Sequence, residues 1–310
     1  TGFSLQPSQA AIVGGILMIA VVLSDLPKLH RIFSWTPVKL ILVGLIAGVP
    51  MMLILNEPDQ GSAAVWISCV AAMLLVGSIP YRYLIVGAQM GLIVLPLVYF
   101  FVLKDYQRER IDTFLDMATG KEYDEQGAGW VPKHNMIAVG SGGWMGKGDK
   151  GSRNVGERTI KEMGFVPANV AINDFIFVVI AEEHGYRGAM VIVGVYALLL
   201  LTLLTIAFHS RDDLGRLLVT GLTAQMFFHI FMNIGMCVLL VPITGLPLPL
   251  VSYGGTFVVL MLFMLVLSQS VWVHRHDVIE KKEKSRGELR GRLESMVRRP
   301  MILQAARCFA

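Results

Sequence analysis

Residues 188–208 read GAMVIVGVYALLLLTLLTIAF and contain no charged side chain. Roughly 20 predominantly apolar residues in a helix cross the hydrocarbon core of a bilayer, so this stretch predicts a transmembrane helix. Inside the bilayer every backbone N–H and C=O group must be bonded within the segment. A long, evenly apolar run achieves this as an α-helix and not as an alternating barrel strand.

The rest of the chain has the same character. Of its 310 residues, 54% are hydrophobic and 16% are charged, whereas a soluble domain carries about 25% charged residues. The sequence therefore predicts an all-α, polytopic membrane helix bundle with about seven spans. The six further spans are predicted at 9–23, 40–55, 62–79, 84–103, 217–241 and 255–273.

The basic residues of the short loops predict the orientation, because Lys and Arg near span ends stay in the cytoplasm. They are Lys28, Arg31 and Lys39 after the first predicted span, Arg82 after the third, and Arg211 and Arg216 after the fifth. The loops 56–61, 104–174 and 242–255 are then extracytoplasmic. We expect a transmembrane domain over residues 1–275 whose large outer loop, 104–174, carries the chemistry.

Residues 276–310 form a basic tail, predicted to be cytoplasmic. It is interpreted as a solvated anchor that enforces orientation; attraction to anionic lipids of the inner leaflet is the alternative. Because topology explains where the basic charge lies, no nucleic-acid binding is indicated. The chain begins Thr1-Gly2 and has no signal-peptide pattern, so we expect a piece of a longer protein.

A glycine-rich window lies in the large loop. Residues 137–148 read IAVGSGGWMGKG, with five glycines, which predicts a bend with close backbone approach. The bend is either a plain turn or a set of N–H groups that cradle a phosphate beside Lys147. The GxxxxGK spacing of a P-loop is absent.

Residues 173–185 read NDFIFVVIAEEHG, an apolar run bracketed by acids. The run is too short to span the bilayer, so it predicts a helix at the outer membrane surface. Asp174 either caps this helix or presents its carboxylate to a lipid-linked substrate. Glu182 and Glu183 are interpreted as interfacial charges at the helix end.

Three other polar groups are predicted on the same side of the membrane. Asp59 precedes a span and is either a helix cap or a site residue. Residues 242–255, PITGLPLPLVSYGG, contain Ser252 and cannot be regular helix throughout; broken backbone at membrane depth predicts a cavity lining. Arg108 and Arg110 pair either with an anionic lipid head or pyrophosphate, or with acids of the loop.

These segments, in this order, resemble the SEDS family (shape, elongation, division and sporulation) of RodA and FtsW cell-wall glycosyltransferases, and RodA in particular. The resemblance covers residues 6 to about 275. It is carried by QPS at 6–8, PDQGS at 58–62 (family PDLGT), YQRER at 106–110, the glycine-rich window (family IAIGSGGLxGKG), residues 173–185 (family TDFIFAVIAEELG), NIGM at 233–236 and PLPLVSYGG at 247–255.

The resemblance implies an inverting peptidoglycan glycosyltransferase of the bacterial cytoplasmic (inner) membrane, which polymerises lipid II at the outer face for cell elongation and shape. Its implied partners are a class B penicillin-binding protein, the growing glycan strand and membrane lipids. The essential aspartate of the family falls on Asp174, which implies a general base. The implied substrate-binding residues are Arg108, Arg110, Lys147, Asp59 and Ser252. A divalent cation, Mg²⁺ or Mn²⁺, is the implied cofactor, with unknown ligands.

The chain also departs from the family pattern. A Glu and a Lys usually follow the QPS motif, where this chain has Gln9 and Ile12. The family has ten spans and QPS opens the fourth, so the first three are expected to be missing here. A non-catalytic membrane scaffold or degenerate homologue is therefore one alternative function. A lipid-linked precursor flippase or transporter is another, although paired broken spans in two repeats are not found.

Overall fold

The computed structural model describes residues 7–29, 31–56, 60–148 and 173–275. Within these ranges the chain forms helices and no strand. The helices are α1 Pro7–Ser24, α2 Leu26–Leu29, α3 Thr36–Asn56, α4 Gln60–Val76, α5 Tyr81–Leu97, α6 Asp105–Thr119, α7 Trp130–Ser141, α8 Ile176–His209, α9 Asp213–Cys237 and α10 Gly255–Val273, with a 3₁₀ turn at Arg31–Ser34 and a π turn at Val98–Val102.

A helix forms at every predicted span. By length and apolar composition, six of the described helices can cross a membrane, while the apolar part of the seventh, Gly61–Val76, is shorter. The prediction of an all-α, polytopic membrane bundle is therefore confirmed. Asp59, the residues between 149 and 172 and the basic tail 276–310 lie outside the described residues.

Helix α9 forms the centre of the bundle. It packs against α1, α4 and α8 and is the most buried of the six long apolar helices. Its buried face includes the polar residues Gln225, His229 and Asn233, which follow one another at intervals of four residues and therefore share a face. At its outer end this polar row reaches the segments around Asp174.

Helix α8 contains two elements that are predicted separately, a short surface helix and a transmembrane span. The short helix after Asp174 runs directly into the span predicted at 188–208, and the two are divided by a break at Gly185. Phe175, and not Asp174, occupies the N-cap position, with no side-chain capping bond. Asp174 therefore lies one residue before the N-cap position that the capping alternative gives it.

Candidate active site

A cavity of about 400 Å³ opens beside Asp174 on the extracytoplasmic side predicted from the loop charges. Four parts of the chain meet there: helix α6, the start of α7 with the residues just before it, the residues before α8, and the irregular segment after α9. The lining residues are Tyr106, Glu109, Arg110, Thr113, Phe114, Gly127, Ala128, Val131, Pro132, Asp174, Phe175, Leu239, Pro242, Ile243 and Gly245. Of the segment 242–255, which is predicted to line a cavity, Pro242, Ile243 and Gly245 do so.

Helix α6 supplies the charged wall. Tyr106, Glu109, Arg110 and Thr113 are spaced by three or four residues, so they lie on one helical face. The guanidinium carbon of Arg110 lies 5.9 Å from the centre of the Tyr106 ring, within the range of a cation–π contact. Arg110, which is predicted to meet an anionic substrate, is thus held at the cavity that contains Asp174.

Asp174 is half-buried and lies immediately before the N-cap of α8. Opposite it, Gly245 has a φ of +71°, and a Cβ atom built at Gly245 would lie 3.6 Å from Oδ2 of Asp174. A side chain at position 245 would therefore be strained and would project toward the carboxylate. The glycine keeps the space beside Asp174 open.

Ser252 makes its hydrogen bonds within the fold. Its buried hydroxyl donates a hydrogen bond to the Asn173 carbonyl oxygen at 2.5 Å and accepts one from the Leu248 N–H at 2.7 Å. It does not line the cavity. The structure therefore gives no support to a substrate contact for Ser252; the residue ties the irregular segment to the chain just before Asp174.

Lys147 and the rest of the glycine-rich window, residues 137–148, are not among the residues that line the cavity. Nζ of Lys147 lies 2.7 Å from Oε1 of Glu182, whose side chain is only 2% exposed. The N–H groups of Lys147 and Gly148 donate to the Glu182 and Glu183 carbonyl oxygens, both at 2.9 Å. These groups are used within the fold, so the phosphate-cradle alternative is not supported at either residue. The interpretation of Glu182 as an interfacial charge is wrong, because it is buried against Lys147.

Replacing Lys147 by methionine is expected to destabilise the protein. The change keeps an aliphatic chain of similar length but leaves the Glu182 carboxylate buried without its cation, which costs about 3 kcal/mol in the free energy of unfolding. Thermal unfolding of the purified protein, followed by tryptophan fluorescence, measures the loss as a lower Tm.

The matched control is Lys133→Met. Lys133 pairs with Glu125 at 2.5 Å, but both side chains are substantially exposed. The hydrogen bond to Glu125 raises the pKa of the Lys133 ammonium group. Exposed pairs contribute little to stability, so this variant should unfold at the Tm of the unaltered protein. Equal Tm values for the Lys147 and Lys133 variants would contradict the role given to the buried pair.

Arg108 also differs from the prediction. Its Nη2 donates to the carbonyl oxygen of Phe100 at 2.7 Å, within the π turn that ends the α5 region. Arg108 is absent from the cavity lining, in contrast to Arg110. The partner seen for Arg108 is thus a backbone carbonyl oxygen at the π turn, and neither an acid of the loop nor a group of the cavity.

Tyr106, Glu109 and Gly245 also line the cavity, and none of them is predicted individually as a site residue. The signal for Tyr106 and Glu109 is present, because their spacing from Arg110 places all three on one face of a helix. For Gly245 no local signal exists, since its importance depends on the approach of Asp174 from a distant part of the chain.

Gln9 and Ile12, the two residues that depart from the family pattern after QPS, are uncharged and packed in the core of the bundle. Nε2 of Gln9 donates to Oγ of Ser62 at 3.0 Å, between α1 and α4. Ile12, one turn further along α1, is fully buried. A hydrogen bond and apolar packing thus occupy the positions at which the family pattern has a charged pair.

The model of the FtsW, RodA and SpoVE family, described as cell cycle protein, matches residues 1–276. This chain belongs to that family. A relative within it, the peptidoglycan glycosyltransferase MrdB of Escherichia coli K12, is 32% identical over 87% of this chain and 68% of its own length. The SEDS resemblance drawn from the motifs is therefore confirmed, and the chain is a multi-pass membrane protein of the FtsW, RodA and SpoVE family.

Solved structures agree with the family assignment. A chain from a peptidoglycan synthase complex that coordinates polymerization and crosslinking is 27% identical, with a TM-score of 0.64, covering 87% of this chain and 70% of that one. The rod shape determining protein RodA of Thermus thermophilus is also 27% identical, with a TM-score of 0.52, covering 87% of this chain and 66% of RodA. The helix arrangement described above is thus that of the FtsW, RodA and SpoVE family.

Proposed function

We propose that this protein is a peptidoglycan glycosyltransferase that polymerises lipid II into glycan strands at the outer face of the cytoplasmic membrane. The observation that carries the proposal is the cavity that brings Asp174 together with Arg110 in a chain of the FtsW, RodA and SpoVE family. A positioned proton acceptor and a fixed cation would both accelerate glycosyl transfer from a pyrophosphate donor.

Asp174 is the proposed general base. An acceptor sugar hydroxyl attacks the anomeric carbon of the donor, and its proton passes to the Asp174 carboxylate. A new C–O bond forms at that carbon as the bond to the pyrophosphate oxygen breaks, so undecaprenyl pyrophosphate leaves with the bonding electron pair. One such displacement inverts the anomeric centre, and no covalent enzyme intermediate is required.

Arg110 is the proposed group that meets the leaving pyrophosphate. Guanidinium groups bind phosphate oxygens through paired N–H donors, and its contact with the Tyr106 ring orients it at the cavity. The extra negative charge on the pyrophosphate as the bond breaks is then stabilised more strongly than the bound donor, which lowers the barrier.

A divalent cation, Mg²⁺ or Mn²⁺, is part of the proposal. Within the described residues no group of three or more His, Cys, Asp or Glu side chains forms a metal site. Mg²⁺, however, commonly binds to one or two carboxylates together with substrate phosphates, and Glu109 lies on the cavity with Asp174. Glu109 would hold the ion, which would supply further neutralisation of the pyrophosphate charge.

The membrane orientation and the partner follow from the same proposal. The charge of the basic loops and tail supports a cytoplasmic location for them; the Asp174 cavity then faces outward, where lipid II presents its sugars. A class B penicillin-binding protein is the proposed partner. Support comes from the related chain of a peptidoglycan synthase complex that coordinates polymerization and crosslinking.

The test is polymerisation of labelled lipid II by the purified protein in liposomes, with and without a class B penicillin-binding protein whose transpeptidase is blocked. We expect glycan strands on gels, most abundant with the partner, and their loss on addition of EDTA with recovery on Mg²⁺ or Mn²⁺. Lack of strands from folded protein with its partner and metal would favour the scaffold function. Movement of fluorescent lipid II across the bilayer without polymerisation would favour the flippase.

A further inference from the structure

Asn233 is a buried residue of α9 that does not line the cavity but contacts two of the segments that do. Its side chain is 0% exposed. Nδ2 donates hydrogen bonds to the carbonyl oxygens of Asp174, at 2.8 Å, and of Leu246, at 2.6 Å. One amide group therefore connects the segment that bears Asp174 and the segment that bears Gly245 to the central helix of the bundle.

The contact requires a hydrogen-bond donor at this position. Backbone carbonyl oxygens only accept, and an amide nitrogen has two N–H bonds, one for each carbonyl. Oδ1 of Asn233 has no hydrogen-bond partner within the described residues, so the donor half of the side chain makes the contact. Loss of the donor would break both hydrogen bonds, so the amide would no longer hold either peptide unit in place.

We propose that Asn233 is a positioning residue for glycan polymerisation: its amide fixes the peptide unit of Asp174 and thereby the direction in which the carboxylate enters the cavity. This inference rests on the proposed function, since it takes Asp174 as the general base. A base must lie within hydrogen-bonding distance of the hydroxyl proton. Misplacement by about 1 Å can cost about 10²-fold in rate.

A second hydrogen bond holds the chain next to Asp174 in place when Asn233 is changed. Ser252 bonds to the carbonyl of Asn173, the residue before Asp174, through a contact that does not involve Asn233. Phe175, the residue after Asp174, is itself buried. We therefore expect loss of the Asn233 amide to turn the peptide of Asp174 while the neighbouring residues stay in place.

The test uses Asn233→Leu, which keeps the size and shape of the side chain but removes the donor. The matched control is Asn135→Leu, because Asn135 is also buried and its amide makes no hydrogen bond within the described residues. In the lipid II polymerisation assay, Asn233→Leu should lower kcat by about 10²-fold with little change in KM. The Asn135 variant should retain both constants.

A second measurement reports on position 174 without catalysis. The thiol of an Asp174→Cys variant is modified with a charged methanethiosulfonate reagent, in a background with Cys308→Ser. Cys69 and Cys237 are buried free thiols and should not react. Adding Asn233→Leu should change the modification rate several-fold, because the side chain at 174 is redirected, whereas adding Asn135→Leu should not.

The outcomes separate the two proposals. Unchanged kcat and an unchanged thiol rate in the Asn233 variants would overturn the positioning role. A changed thiol rate would support the positioning role whatever the activity of Asp174→Asn. Retained polymerisation by Asp174→Asn would contradict only the general-base assignment. If Asn233→Leu does not fold, Asn233→Ser, which keeps one shorter donor, should give an intermediate thiol rate; a rate equal to that of the unaltered side chain would overturn the proposal.

Discussion

Asp174→Asn is expected to lower kcat for glycan polymerisation by about 10²- to 10⁴-fold, the usual contribution of a positioned general base. The amide is nearly the same size and can still hydrogen-bond to a sugar hydroxyl, but it cannot take the proton. Binding of lipid II should therefore persist while turnover is lost. Polymerisation by the reconstituted protein measures the first quantity, and retention of labelled lipid II by the purified variant measures the second.

Two variants sharpen this prediction. Asp116→Asn makes the same chemical change on α6, in the same loop, at a residue that does not line the cavity, and it should retain full activity. Asp174→Glu keeps a carboxylate but moves it by one methylene, so it should recover only part of the rate. Full activity in Asp174→Asn would show that another group, or the substrate itself, accepts the proton.

The helices and the outer cavity could be predicted because their signals are local. An apolar run of about 20 residues identifies a span without knowledge of its neighbours. The prolines and glycines of residues 242–255 likewise rule out a regular helix from the sequence itself. The break at Gly185 is different, since nothing in residues 173–208 alone shows that a distant loop docks there.

Side-chain partners far apart in sequence account for the predictions that the structure does not support. Lys147, among glycines, resembles a phosphate ligand, yet its partner is Glu182, 35 residues away. Ser252 resembles a site residue within a motif, yet it bonds to Asn173, 79 residues away. A motif indicates that a polar residue matters; only the three-dimensional contacts distinguish a residue that touches the substrate from one that holds the site together.

Asn233 illustrates the same limit. The NIGM segment is one of the motifs that carry the family resemblance, but its position inside a predicted span gives no role for the asparagine. The role becomes visible when α9 is placed at the centre of the bundle and its outer end meets Asp174 and Leu246. Long-range packing, which local sequence patterns do not encode, supplies the missing information.

The break in α8 depends on two glycines in direct backbone contact. Gly185 has a φ of +67° and a ψ of −164°, a region of backbone conformation that is essentially restricted to glycine. A Cβ atom at this position would also lie 2.3 Å from the backbone nitrogen of Gly146. Nearby, the Tyr186 N–H donates to the Gly143 carbonyl oxygen at 2.8 Å, so the glycine-rich window is bonded across the break.

Gly185→Ala is therefore expected to be the most disruptive single methyl addition in this helix. The strained backbone and the clash with Gly146 act together, and neither the window nor the break can move without losing the hydrogen bonds between them. We expect little folded protein by size-exclusion chromatography and a Tm far below that of the unaltered chain. Gly194→Ala, further along α8 where a Cβ meets no atom within 4 Å, is the matched control and should fold normally, since alanine favours the helix. Equal yields and Tm values for the two variants would mean that α8 continues through Gly185 without the break.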